Sequence, residues 1–153
     1  GAVTEGYAAD REAVIAMLNS ALATELLCVL RYKRHYFTVS GPNNGALKAE
    51  FLEHAQQEQE HADRIAERIV QLNGSPNFDP ATLTARSHAE YDDSEDTQAM
   101  VRADLIAERV AIESYRQMIL AIGDKDPTTK QMLIEILAVE EEHADDMSDF
   151  LVP

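Results

Sequence analysis

The sequence predicts an all-α fold: a bundle of four long helices with one long crossover between the second and the third. Three observations predict it. Ala, Glu and Leu are the commonest of the 153 residues, whereas Gly and Pro number only six and five, the composition of long helices. Apolar residues recur at helical spacing over four long stretches. Dense turn signals separate the first stretch from the second and the third from the fourth, while the middle two are joined by a much longer segment. With 45% hydrophobic residues the chain has enough apolar material for one core, and its length fits a single domain over residues 1–153.

The first helix is expected over about residues 10–39, stopped by Ser40-Gly41-Pro42-Asn43-Asn44-Gly45. The second covers about 46–73, closed by Asn73-Gly74 with Pro76 just beyond. The third covers about 96–123 and stops at Gly123; the fourth, about 127–151, opens on Pro127 at its first turn. Short loops make each hairpin antiparallel. Between them Gly74 to Asp96 is rich in Ser, Asp and Thr, with two prolines. A helix of ~27 residues is ~40 Å long, which an extended chain covers in ~12 residues. The segment can therefore run the length of the bundle and start the third helix parallel to the second.

The core stripes carry the chemistry. They read Val14, Leu18, Ala21, Glu25, Cys28, Tyr32 on the first helix and Phe51, Ala55, Glu58, Ala62, Ile65, Ile69, Leu72 on the second. The third reads Val101, Leu105, Glu108, Ile112, Tyr115, Ile119, Ile122, and the fourth Leu133, Ile136, Glu140, His143, Met147, Phe150. One glutamate interrupts each stripe, at the same level of an up-down bundle. Buried carboxylates are costly unless paired, and these stripes contain no Lys or Arg. Two of the glutamates are followed three residues on, on the same helix face, by His61 and His143. Four carboxylates and two neutral imidazoles offset the charge of two divalent cations. Oxygen and nitrogen ligands without thiolate suit iron or manganese, and zinc can bind but is redox-silent. The candidate ligands are thus Glu25, Glu58, His61, Glu108, Glu140 and His143.

A lone Glu-x-x-His in an acidic helix is usually a solvated face; two copies level with two further core glutamates are not. Tyr32 lies two turns after Glu25 and points at the same region, as a core aromatic or a redox participant. Tyr115 stands in the same relation to Glu108. Among the other histidines, His35 and His88 lack a Glu three positions before them, and so does His54; lying four residues before Glu58 on the same helix, it reads either as a residue behind the ligands or, more simply, as a surface residue. Glu53, Glu60, Glu141 and Glu142 offer a route for ions, but a solvated acidic face explains them more simply. Cys28, the only cysteine, reads as a small buried residue and cannot form an intrachain disulfide.

The net charge of −15 argues against nucleic acid as a partner. No basic-plus-apolar leader and no run of 18 apolar residues occurs, so no membrane association and a cytoplasmic setting are expected.

These residues resemble the ferritin superfamily, whose pattern is one Glu from each of two helices and a Glu-x-x-His from each of the other two. Glu25-Leu26-Leu27 with Tyr32, Glu58-x-x-His61-Ala62-Asp63-Arg64, Asp104-Leu105-x-x-Glu108, and Ile134-Glu135-Ile136-Leu137 leading to Glu140-x-x-His143 are similar to the ligand helices of bacterioferritin. The resemblance spans about residues 10–150. It implies a di-iron ferroxidase centre within each subunit, with Glu58 and Glu140 as bridging carboxylates and Tyr32 matching a tyrosine beside the site. It also implies Fe(II) oxidation by dioxygen or peroxide for iron storage and detoxification. Two departures stand out. Gln59 occupies the position of the family's haem-ligating methionine, so haem is not expected. The sequence ends at Asp149-Phe150-Leu151-Val152-Pro153 without a fifth helix, which favours a closed homo-oligomeric shell of twelve subunits, as in Dps-like mini-ferritins, over one of twenty-four. The alternatives are a rubrerythrin-like or manganese-dependent peroxide-scavenging enzyme, and a non-enzymatic metal-sequestering protein.

Overall fold

The computed structural model describes residues 1–153. Four long helices, α1 (Arg11–Thr38), α2 (Gly45–Gln71), α4 (Thr97–Ile122) and α5 (Pro127–Asp149), form the bundle, and a one-turn helix, α3 (Leu83–Arg86), lies inside the crossover. This single turn has too few residues for periodicity to register in the sequence.

Local chemistry sets the ends. Asp10, Asp96 and Asp126 each accept a hydrogen bond from the backbone N–H three residues on, at Ala13, Ala99 and Thr129, and so cap α1, α4 and α5. At the end of α2 the Gly74 N–H reaches back to the Ile69 carbonyl and the Asn73 N–H to that of Val70, a Schellman closure. Asn73, with φ of 63°, takes its left-handed position. Gly74 is required for a different reason, since a Cβ there would come within 2.9 Å of the Ile15 side chain on α1. Gly123, with φ of 56°, ends α4 and turns the chain into Pro127.

Contacts fix the topology. Arg11 Nη1 donates to the Leu72 carbonyl at 3.0 Å, joining the start of α1 to the end of α2, and Arg116 reaches Glu141 at 3.1 Å across α4 and α5. The hairpins pack α1 beside α4 and α2 beside α5, again antiparallel: Tyr7 donates to Asp126 at one end, and Arg31 to Asp104 nearer the other. The crossover climbs the flank of α1. Asn77 N–H donates to Asn19, His88 N–H to Thr24, and Arg34 to the Ser94 carbonyl, at 2.8, 2.9 and 2.7 Å.

The interior has two apolar lobes. One gathers Leu18, Leu22, Ile65, Ile69, Tyr115, Leu133 and Ile136 near the α1 N-terminus; the other gathers Tyr32, Phe51, Met100, Val101 and Met147 toward the opposite end. A polar belt separates them. Helix α1 is long and apolar enough, by length and composition, to cross a membrane, but half of that window is buried in this core.

Candidate metal centre

The belt consists of Glu25 from α1, Glu58 and His61 from α2, Glu108 from α4, and Glu140 and His143 from α5, none more than 4% exposed. Each is held at its level by apolar neighbours a turn away on its own helix, so the belt is fixed by the same packing that builds the two lobes.

The arrangement is crossed. His61 Nδ1 on α2 lies 3.1 Å from Glu140 Oε1 on α5, and His143 Nδ1 on α5 lies 2.9 Å from Glu58 Oε1 on α2. Likewise the Tyr32 hydroxyl on α1 donates to Glu108 Oε1 on α4 at 2.6 Å, and the Tyr115 hydroxyl on α4 to Glu25 Oε1 on α1 at 2.5 Å. The two hairpins therefore contribute equivalent halves. Glu25, Glu58, His61 and Glu140 place one ligand atom each within 4.8 Å of one another, as do Glu58, Glu108, Glu140 and His143. Glu58 and Glu140 belong to both sets.

Electrostatics tests whether these residues fit a cation. With all four carboxylates ionised, Glu25 Oε2, Glu58 Oε2 and Glu108 Oε2 are buried with no donor, at a cost of roughly 1–3 kcal/mol each or more for charged groups. The protein without metal can relieve this only by holding protons. Burial, then the neighbouring Glu140, Glu25 and Glu108 charges, pushes Glu58 well above the usual carboxylate range, and burial with Glu108 and Glu25 does the same to Glu140. Burial also raises Glu25, but hydrogen bonds with Glu58 and His61 outweigh it and bring Glu25 below its ordinary value. For Glu108 burial is likewise outweighed, by hydrogen bonds with Glu140 and His143, and its value falls to about 2. His143 rises to about 10, because contacts with Glu108 and Glu58 overcome the opposing effect of burial. Proton sharing is the makeshift of a cluster whose oxygens and imidazole nitrogens have the chemistry of divalent-cation ligands.

One expectation from the sequence is corrected. His54 is not at the surface: it is 1% exposed and its ring stacks on His143 with centroids 3.9 Å apart. The four stripes hold no Lys or Arg, as expected, but one arginine is buried beside them. Arg31 is fully buried, but its Nε donates to Asp104 at 2.7 Å, so it does not neutralise the belt; His35 bridges Asp104 and Asp92, each at 2.8 Å. Tyr32 and Tyr115 both reach the belt, as expected, and each bonds the glutamate of the opposite hairpin. Glu53, Glu60, Glu141 and Glu142 are exposed and outside the belt. Cys28 is buried beside it, and burial pushes its thiol up to about 12. One signal for His54 was present in the sequence, since Glu50, His54 and Glu58 are spaced four apart on one face of α2.

A family model described as a ferritin-like domain matches residues 15–152. The chain is 32% identical over 134 residues to a bacterioferritin of Brucella melitensis, covering 86% of this chain and 78% of the relative. It is 30% identical over 141 residues to a nutrient stress-induced DNA-binding protein of Synechococcus, covering 89% and 79%. Among solved structures, a dodecameric thioferritin, the bacterioferritin-related protein from Bacteroides fragilis, superposes with a TM-score of 0.90 at 34% identity, covering 94% of this chain and 87% of that one.

Proposed function

This chain belongs to the ferritin-like family, and on that premise we propose that it is a ferroxidase that takes up two Fe(II) ions per subunit and oxidises them to Fe(III) for iron storage and detoxification. The observation that carries the reading is the pair of overlapping ligand sets sharing Glu58 and Glu140, within a buried belt that no Lys or Arg neutralises. Glu25 and His61 complete one half, Glu108 and His143 the other. Each bound Fe(II) supplies one electron, so a pair can deliver two to one molecule of dioxygen or peroxide. Glu58 and Glu140 keep both ions in a common ligand frame. Tyr32 and Tyr115 orient Glu108 and Glu25 by hydrogen bonds to their Oε1 atoms, which leaves Oε2 of each free for a metal. Tyr32→Phe is therefore expected to leave binding intact and change only the rate. An anaerobic Fe(II) titration followed by an oxygen or peroxide pulse tests the whole reading: saturation at two ions per subunit and rapid oxidation are expected, and saturation at none or one would refute it.

Haem is not part of the function proposed. Gln59 is exposed and donates to Asp63 at 2.9 Å, and it lacks the thioether that ligates haem iron. Protein expressed with ample haem is expected to show no Soret band at one haem per two subunits.

The assembly proposed is a closed homo-oligomeric shell of twelve subunits. The dodecameric relative supports the number. Exposed apolar side chains on the long helices, among them Phe37 at 69%, Ile106 at 63% and Leu120 at 81%, are the kind of surface that subunit contacts cover. Light scattering should give a mass near twelve times 17.0 kDa; a stable dimer would refute the shell. One relative is named for DNA binding, but 28 acidic against 13 basic residues oppose the same role here. A cytoplasmic setting belongs to the same proposal.

A further inference from the structure

The two halves of the belt are built alike, and one position breaks the likeness. Each histidine turns Nδ1 toward carboxylates of other helices: His61 lies 3.1 Å from Glu140 and 3.5 Å from Glu25, and His143 lies 2.9 Å from Glu58 and 3.4 Å from Glu108. The remaining ring nitrogens differ. His143 Nε2 is 2.6 Å from Gln57 Oε1 on α2, whereas His61 makes its one hydrogen bond through Nδ1 and no side chain holds its Nε2. The ring of His143 is also covered on one face by that of His54, with centroids 3.9 Å apart and planes 20° from parallel. Its side chain is 1% exposed, against 6% for that of His61.

The difference is written in the sequence. Helix α2 carries His54, Gln57, Glu58 and His61, and α5 carries Ile136, Val139, Glu140 and His143 at the same spacings. The glutamates and histidines match; the residues before them do not. Gln57 reaches across from α2 to the histidine of α5, but its counterpart on α5 is Val139, which has no side-chain oxygen to offer the histidine of α2. Ile136 likewise stands where His54 does.

An imidazole that gives one nitrogen's lone pair to a metal carries its single proton on the other nitrogen. A fixed acceptor for that proton selects the tautomer and the ring orientation before the ion arrives, and losing such a partner typically lowers metal affinity ~10–100-fold. His143 has that acceptor, and His61 has none in the protein.

We infer that Gln57 is a positioning residue that makes the belt fill in order, the first divalent cation settling in the Glu108–His143 half and the second in the Glu25–His61 half. That the ion is Fe(II) rests on the ferroxidase reading; the order rests on the Gln57 contact. The half with the freer imidazole is then the one that yields its ion first to a chelator.

Zn(II) is the probe, since it binds such ligands without redox change. In crystals of the assembled protein given one Zn(II) per subunit, anomalous density at the zinc edge is expected beside His143 Nδ1 in preference to His61 Nδ1. Calorimetric titration should resolve two steps whose Kd values differ by at least ~10-fold. Gln57→Met, of similar length but without an acceptor, should merge the steps and even out the density, whereas Gln57→Glu, which keeps an acceptor, should preserve the order. Val139→Gln supplies the missing partner and should narrow the gap by tightening the His61 half. Equal filling in the wild type, filling of the His61 half first, or an order unchanged in Gln57→Met would overturn the inference and leave the paired site standing. An order lost equally in Gln57→Met and Gln57→Glu would reduce Gln57 to packing and overturn it too. No density at either histidine with Zn(II) in excess would overturn the di-iron reading along with it.

Discussion

Fe(II) oxidation is expected to fall by at least ~100-fold, to the buffer background, in Glu58→Ala and in Glu140→Ala. Loss of a hydrogen-bonding partner behind a metal ligand already costs about 10–100-fold in affinity or activity, and each of these glutamates belongs to both ligand sets. Removing either one strips both ions of a ligand. Glu25→Ala and His61→Ala act on one half only, as do the Glu108 and His143 counterparts. They should still lose rapid oxidation, because a single remaining Fe(II) cannot deliver two electrons to one oxidant. The distinction lies in binding at the belt: the half-site variants should retain about one ion per subunit there, and Glu58→Ala and Glu140→Ala about none. Stopped-flow absorbance after anaerobic loading separates these cases. A His61→Ala protein oxidising iron at the wild-type rate would place the chemistry somewhere else.

The long helices and their glutamates could be read from the chain because both follow from periodicity. A stripe with one Glu at mid-helix is visible in any helix of α1's length, and the level of each Glu follows from counting turns. Lateral relations are not written that way. Tyr32 is two turns from Glu25 on α1, which gives its height but not its azimuth, and its hydroxyl crosses to Glu108 on α4. Arg31, His35 and Asp104 lie off the first-read stripes, and their burial depends on the crossover, whose Asp92 closes the network. That cover comes from chain more than fifty residues away. His54 is hidden for the same reason, since α5 and the ring of His143 enclose it. The helix ends were legible where an Asp, Pro or Gly marks them, whereas the single turn of α3 carries no pattern long enough to see.

The metal-free protein is expected to lose stability as pH rises from about 7 to 9, and the metal-loaded protein is not. The sign follows from which groups hold protons in the folded state. Glu58 and Glu140 have raised values there, and His143 titrates near 10 instead of 6.5. A group with a raised folded value contributes stability below its unfolded value and loses it as pH climbs toward the folded one. For the two glutamates that loss begins above the ordinary carboxylate range, and for His143 above 6.5. Glu25 and Glu108 act oppositely, but their lowered values confine the effect to acid, with Glu108 near 2. His54, lowered to about 4, is likewise neutral in both states above the unfolded histidine range. From pH 7 to 9 it is His143, near 10 in the folded state and 6.5 in the unfolded one, that sets the window, and the extra proton held by the folded state costs ~1 kcal/mol per pH unit. Bound cations replace those protons and remove the slope, and binding only to the folded state at a hundredfold excess over Kd adds ~3 kcal/mol per ion. Glu58→Gln extends the test: it removes a buried carboxyl whose charge the fold cannot otherwise tolerate. That variant should have a flatter pH profile and a higher melting temperature than wild type when metal-free, and a smaller rise on adding Zn(II). Thermal melts at pH 7, 8 and 9, with chelator and with Zn(II), measure all of this. Parallel profiles for the metal-free and loaded wild type would show that the belt keeps no such protons.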